Sequence, residues 1–123
     1  MSGEFTIPKI ILGERRPWGE YVVHEVGSGY AVKTLRVRPG QQLSVQKHKK
    51  RDELWVLVEG DGDAGFGNPP VWQRLQLGHP VRILRGELHS LRGGPSGLVL
   101  IEVMLGVYDE ADNERISDIY GRA

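Results

Sequence analysis

The chain has 123 residues, 16 basic and 16 acidic side chains and no cysteine, which leaves room for one domain spanning 1–123 and a core hiding roughly two-thirds of the unfolded surface. Zero formal charge gives no global field to recruit nucleic acid or an anionic membrane, and the missing thiols exclude disulfides, thiolate nucleophiles and thiolate metal sites. The first residues, MSGEFTIPKIIL, lack a basic-then-apolar leader pattern, and no stretch approaches the roughly 20 apolar residues of a membrane span; a cytoplasmic protein is expected.

Seventeen glycines and seven prolines punctuate short apolar runs, the pattern of an all-β sandwich or barrel. In chain order the runs predict strands at Tyr21–Glu25, Tyr30–Val37, Gln42–Gln46, Glu53–Glu59, Val71–Leu77, Pro80–Leu84, His89–Arg92 and Leu98–Met104. The last is the most continuously apolar, as a strand covered on both faces would be, and only Glu102 interrupts it. Between strands, Gly60–Gly65 reads GDGDAG, formally a dinucleotide fingerprint. Phe66–Gly67–Asn68–Pro69–Pro70 follows, and two prolines cannot begin the helix that would hold a pyrophosphate, so a hairpin loop is predicted. Gly94–Gly97 reads as a turn. The tail, YDEADNERISDIYGRA, has no strand pattern; its acids read as a solvated turn or frayed helix. Ile116, Ile119 and Tyr120 have a helix-like spacing that would dock the tail on the sheet and carry Arg122 with it.

One constellation offers coordination chemistry. Gln46 and His48 are two residues apart, which on a strand puts them on one face, and Glu53 and His89 follow. Imidazole, carboxylate and amide oxygen together suit one borderline or hard divalent ion, among zinc, manganese, cobalt, nickel and iron, with zinc or manganese favoured. His24 and His79 read as surface or satisfied core residues rather than ligands. Lys47, Lys49, Lys50 and Arg51 form a basic cluster, readable as a charged hairpin or as a phosphate-facing patch in which Arg51 can contact substrate bidentately. No interleaved aromatics suggest nucleic-acid stacking. Trp18 and Trp55 read as core.

Two spacings carry a resemblance. The first is G-x5-Q-x-H-x4-E-x6-G from Gly40 to Gly60; the second runs from Gly78 through Leu84, Arg85 and Gly86 to His89. Both resemble the two motifs of the cupin superfamily, with Gln46 for the usual first histidine, Leu84 for the usual proline and Gly93 for a usual asparagine. RPWGEY from Arg16, YAVKTLRVRPGQQLSVQKHKKRDELWVLVEG from Tyr30, IEVMLGVY from Ile101 and DIYGR from Asp118 together resemble the type II phosphomannose isomerase family, usually the C-terminal domain of bifunctional isomerase/mannose-1-phosphate guanylyltransferases. Where that family reads LQMHHHRAEHW, three accessory histidines are Lys49, Lys50 and Leu54 here.

The resemblance implies a cupin double-stranded β-helix, a small jelly roll, binding a metal through Gln46, His48, Glu53 and His89. It implies interconversion of mannose 6-phosphate and fructose 6-phosphate, with the metal stabilising enediolate charge as a Lewis acid. Lys33, Glu102 and Arg122 are the candidates for catalytic work, and Arg16 and Arg51 for substrate binding. A homodimer is expected, with a small sugar phosphate as ligand. A non-catalytic sugar-binding cupin and another cupin enzyme, an epimerase or oxygenase, are the alternatives.

Overall fold

The computed structural model describes residues 12–109 and 111–122. Nine strands carry them: β1 (Leu12–Arg16), β2 (Gly19–Val26), β3 (Tyr30–Val37), β4 (Val45–Lys47), β5 (Arg51–Phe66), β6 (Val71–Arg74), β7 (Pro80–Ile83), β8 (His89–Gly106) and β9 (Glu114–Ser117). All pairings are antiparallel. One path runs β1-β2-β3-β8-β4-β9, and β5 joins β6, β7 and β8. The 18-residue β8 organises the rest, because its second half pairs with β3, its first residue reaches β4, and β5 follows it along nearly its whole length. The result is the curled sheet of a cupin. No helix among the described residues is long and apolar enough to cross a membrane.

Alternation decides what faces inward. Tyr21 and Val23 on β2, Leu35 and Val37 on β3, Trp55 and Leu57 on β5, and Leu98 and Leu100 on β8 are buried together with Trp18 and Leu91. Each such side chain stabilises the fold by roughly 1.5–3 kcal/mol relative to exposure. The same inward rows also carry Lys33, Arg51, Glu53, His89 and Glu102, all buried. The interior is therefore apolar at one end and charged at the other.

Several expectations need correction. Gly60–Gly65 is not a hairpin loop but part of β5, and the hairpin turn falls beyond Phe66. The strand bends through register shifts at Leu57/Glu59 and Gly60/Gly62 instead of ending. Gly60 has φ +79°, and a Cβ there would lie 2.0 Å from the carbonyl oxygen of Gly97, so only glycine admits this close strand approach. The expected strands at His89–Arg92 and Leu98–Met104 are one strand: Gly62 opposes Gly93 and Gly60 opposes Leu98, so Gly94–Gly97 bulges out between them.

The start of Gln42–Gln46 keeps only an isolated bridge from Gln42 to Arg92, and the run beginning at Val71 ends at Arg74. The tail is neither helix nor solvated coil at Glu114–Ser117. It forms β9 on the edge of β4, with Val45 opposite Ser117 and Gln46 opposite Arg115. A free strand edge supplies the backbone partners that the local sequence does not announce. Docking of the tail occurs through Tyr120, which packs on the core and hydrogen-bonds Gln41, while Ile116 and Ile119 stay exposed.

Candidate metal centre

All nine residues singled out from sequence line one cavity at the charged end of the interior: Arg16, Lys33, Gln46, His48, Arg51, Glu53, His89, Glu102 and Arg122. They arrive from different elements. Arg16 closes β1, Lys33 lies in β3, Gln46 in β4, Arg51 and Glu53 open β5, His89 opens β8 and Glu102 lies in its second half. His48 sits in the turn after β4, and Arg122 follows β9. The ladder explains two of the meetings directly, since Gln46 opposes His89 and Lys33 opposes Glu102.

At the floor, Nε2 of His48 is 3.2 Å from Oε2 of Glu53, and Nε2 of His89 is 3.6 Å from Oε1. The ring centroids of the two histidines are 5.0 Å apart. Each ring is oriented from behind: His48 Nδ1 donates to the carbonyl of Asp112 at 2.7 Å, and His89 Nδ1 donates to that of Glu87 at 2.8 Å. A carbonyl can only accept, so Nδ1 carries the proton and, in the neutral ring, Nε2 turns its lone pair toward Glu53. Burial, with help from Arg51 and His89, lowers the His48 pKa to about 4, so this ring is neutral at physiological pH.

This donor set fits a divalent ion. Ligand atoms of His48, Glu53 and His89 all lie within 4.8 Å of one another, and two imidazole nitrogens with a carboxylate oxygen suit zinc, manganese or iron. Gln46 lines the same cavity. Arg51 is not solvent-facing as a bare phosphate patch would be; it is 3% exposed. Its Nε donates to Glu53 Oε2 at 3.0 Å, Nη2 to His48 Nε2 at 3.4 Å and Nη1 to the carbonyl of Asp109 at 3.3 Å. The guanidinium thus balances Glu53 and braces the floor. Lys49 and Lys50 are exposed, and Leu54 points to the opposite face from Glu53 and Trp55. None of the three lines the cavity.

A second cluster stands on the adjoining wall. Trp55 Nε1 donates to Glu102 Oε1 at 3.0 Å, Lys33 Nζ lies 3.9 Å from Glu102 Oε2, and the same ammonium sits 4.2 Å from the ring centroid of Tyr21. Burial, reinforced by the nearby charge of Glu53 and opposed by Lys33 and Arg51, raises the Glu102 pKa to about 7. Its Oε2 makes no hydrogen bond, and the same is true of the buried Oδ1 of Asn113. Both residues line the cavity.

Arg16 pairs with Glu14 at 3.0 Å. Arg122 is gripped by Asp118, with Nε at 2.8 Å from Oδ2 and Nη2 at 3.0 Å from Oδ1. Of the two alternatives for His24 and His79 the structure shows the exposed one, and Trp18 and Trp55 are core residues that also wall the cavity. Sequence reasoning missed Ser44, Asn113 and Arg115, which line it too. Arg115, a cation inside an acidic run, was the detectable signal; the structure sets it directly opposite Gln46.

The family described as mannose-6-phosphate isomerase C-terminal matches residues 11–118. The chain belongs to this family. It is 40% identical over 115 residues to a mannose-1-phosphate guanylyltransferase of Escherichia coli, covering 87% of this chain but 22% of that protein. An alginate biosynthesis protein, AlgA, of Pseudomonas aeruginosa is 36% identical over 109 residues, with the same coverage. The chain therefore spans about a fifth of the length of these curated relatives. Among solved structures, Streptomyces PAC13 with uridine superposes with a TM-score of 0.78 at 12% identity, over 97% of this chain and 94% of that one. A cupin-2 domain of Rhodospirillum rubrum gives 0.67 at 17% identity, over 80% and 66%. These likenesses establish the cupin fold of this family member.

Proposed function

We propose that this cupin is a metal-dependent sugar-phosphate isomerase interconverting mannose 6-phosphate and fructose 6-phosphate. The observation that carries the reading is that one cavity holds both a metal-fit triad, His48, Glu53 and His89, and a buried carboxyl, Glu102, with a pKa near neutrality. A divalent ion held by His48, Glu53 and His89, zinc or manganese by the donor set, would supply a Lewis acid for the charge that develops on the sugar oxygens.

The chain's own residues supply the rest. Aldose–ketose exchange moves a proton from the carbon beside the carbonyl to its neighbour, and a base working at neutral pH is best tuned near 7. Glu102 meets that condition, and Oε2 has no competing hydrogen bond while Trp55 holds Oε1. Lys33, beside Glu102, provides a proton donor or positive partner for a sugar oxygen. Arg16, Arg115 and Arg122 line the same cavity and offer guanidinium groups for the phosphate. Arg51 holds Glu53 through its Oε2 and keeps the carboxylate aimed between the two imidazoles.

Protein loaded with zinc or manganese and mixed with mannose 6-phosphate is expected to yield fructose 6-phosphate in a coupled spectrophotometric assay. Full metal occupancy and measurable sugar-phosphate binding without product would overturn the isomerase reading in favour of a binding module.

A further inference from the structure

We propose that Asp112 is a positioning residue for the metal centre, fixing His48 from a point 64 positions away in sequence. The inference rests on reading His48, Glu53 and His89 as metal ligands. After β4 the chain turns through His48, Lys49 and Lys50 before β5 begins at Arg51. Asp112 binds all three turn residues. Its carbonyl accepts from His48 Nδ1 at 2.7 Å, its Oδ1 from the Lys49 amide at 2.8 Å and its Oδ2 from the Lys50 amide at 2.8 Å.

The two carboxylate oxygens thus cap the turn and, by doing so, hold the carbonyl against the histidine ring. Flanking contacts support the clamp. Lys47 opposes Glu114 in the β4–β9 ladder, and Asp109 accepts from Lys50 Nζ through its carboxylate and from Arg51 Nη1 through its carbonyl. His89 is held differently, because its Nδ1 partner is the carbonyl of Glu87, two residues away on its own strand entrance. One imidazole is oriented locally, the other by the tail. Groups that orient a ligand from behind typically change metal affinity by about 10- to 100-fold when removed. The capped amides lie at exposed positions, so water can replace the carboxylate without unfolding the turn.

Two readouts on Asp112→Ala and Asp112→Asn test this. In metal-free, 15N-labelled protein, the wild type should show protected ring Nδ1–H signals for both His48 and His89. Asp112→Ala should lose or broaden the His48 signal and keep that of His89. Chelator competition with zinc should show affinity about 10- to 100-fold weaker for Asp112→Ala, with Asp112→Asn, which retains one acceptor oxygen, in between. Both signals unchanged with zinc affinity within twofold of wild type overturns the proposal. If Asp112→Ala does not fold, Asp112→Asn decides by the same criteria. Should the wild type bind no divalent ion, the metal reading falls by itself, while the His48 signal still tests Asp112.

Discussion

The two walls of the cavity are built on different principles. One comes from β3, β5 and β8, long strands in continuous register whose inward rows place Lys33, Glu53, Trp55 and Glu102 as side chains of a ladder. The other comes from the short β4, the turn at His48 and the tail, held by three-residue and four-residue strands and by side-chain-to-backbone bonds between remote positions. The ladder wall needs no special device to hold its groups, since strand pairing fixes both position and direction. The tail wall adds orientation at a few points, each of which a single substitution can remove. Substitutions in the ladder wall should therefore strike chemistry and metal capacity outright, and substitutions in the tail wall should loosen affinity.

The largest effect is expected where the walls meet, at the ligands. His89→Ala should cut zinc or manganese affinity by more than about a hundredfold, beyond the effect of supporting groups, as read by metal analysis after dialysis; full stoichiometric retention would contradict the assignment. Next comes Glu102→Gln on the ladder wall, which should lower turnover by about 10²- to 10⁴-fold while metal still binds.

The wild-type pH profile should support that result, with turnover rising as Glu102 ionises through about pH 7 and a plateau above. For stability the sign is opposite. A carboxyl whose folded pKa is raised from 4.5 to about 7 stabilises fully below about 4.5, and its contribution fades as pH rises toward 7. A thermal unfolding series from pH 4 to 8 should show wild type losing ground to Glu102→Gln as pH rises.

Arg115→Ala tests the tail wall. A charge-assisted contact to phosphate is worth a KM increase of about tenfold, with kcat changed far less; an equal loss in kcat would place Arg115 in the chemistry instead. The smallest effect is expected at turn side chains that do not line the cavity. Lys49→His and Lys50→His should leave turnover within about twofold of wild type, as surface changes usually do, because those side chains face solvent. A large gain would show that they reach the substrate.

The same contrast explains what could be read from sequence. That Gln46, His48, Glu53 and His89 belong together in one cavity was legible because metal chemistry restricts residue types, a period of two puts Gln46 and His48 on one face, and the spacings to Glu53 and His89 resemble the cupin motifs. The all-β fold followed from punctuated apolar runs, and Glu102 stood out as a charge inside one of them. The tail strand was not legible, since Glu-Arg-Ile-Ser acquires strand character only from the free edge of β4. Nor was Asp112, whose partners are a ring nitrogen and two backbone amides more than 60 residues away. Gly60–Gly65 misled for a related reason: glycines that signal turns locally here allow two strands to approach and bend.

The proposed isomerisation stands on proton transfer on a sugar phosphate within this cavity. Its most direct test is proton NMR of mannose 6-phosphate in D2O with the metal-loaded protein. Conversion to fructose 6-phosphate with loss of the C2 proton signal is expected, abolished in Glu102→Gln and in His89→Ala. Unchanged mannose 6-phosphate, with its C2 proton intact beside a protein of full metal content, would contradict it.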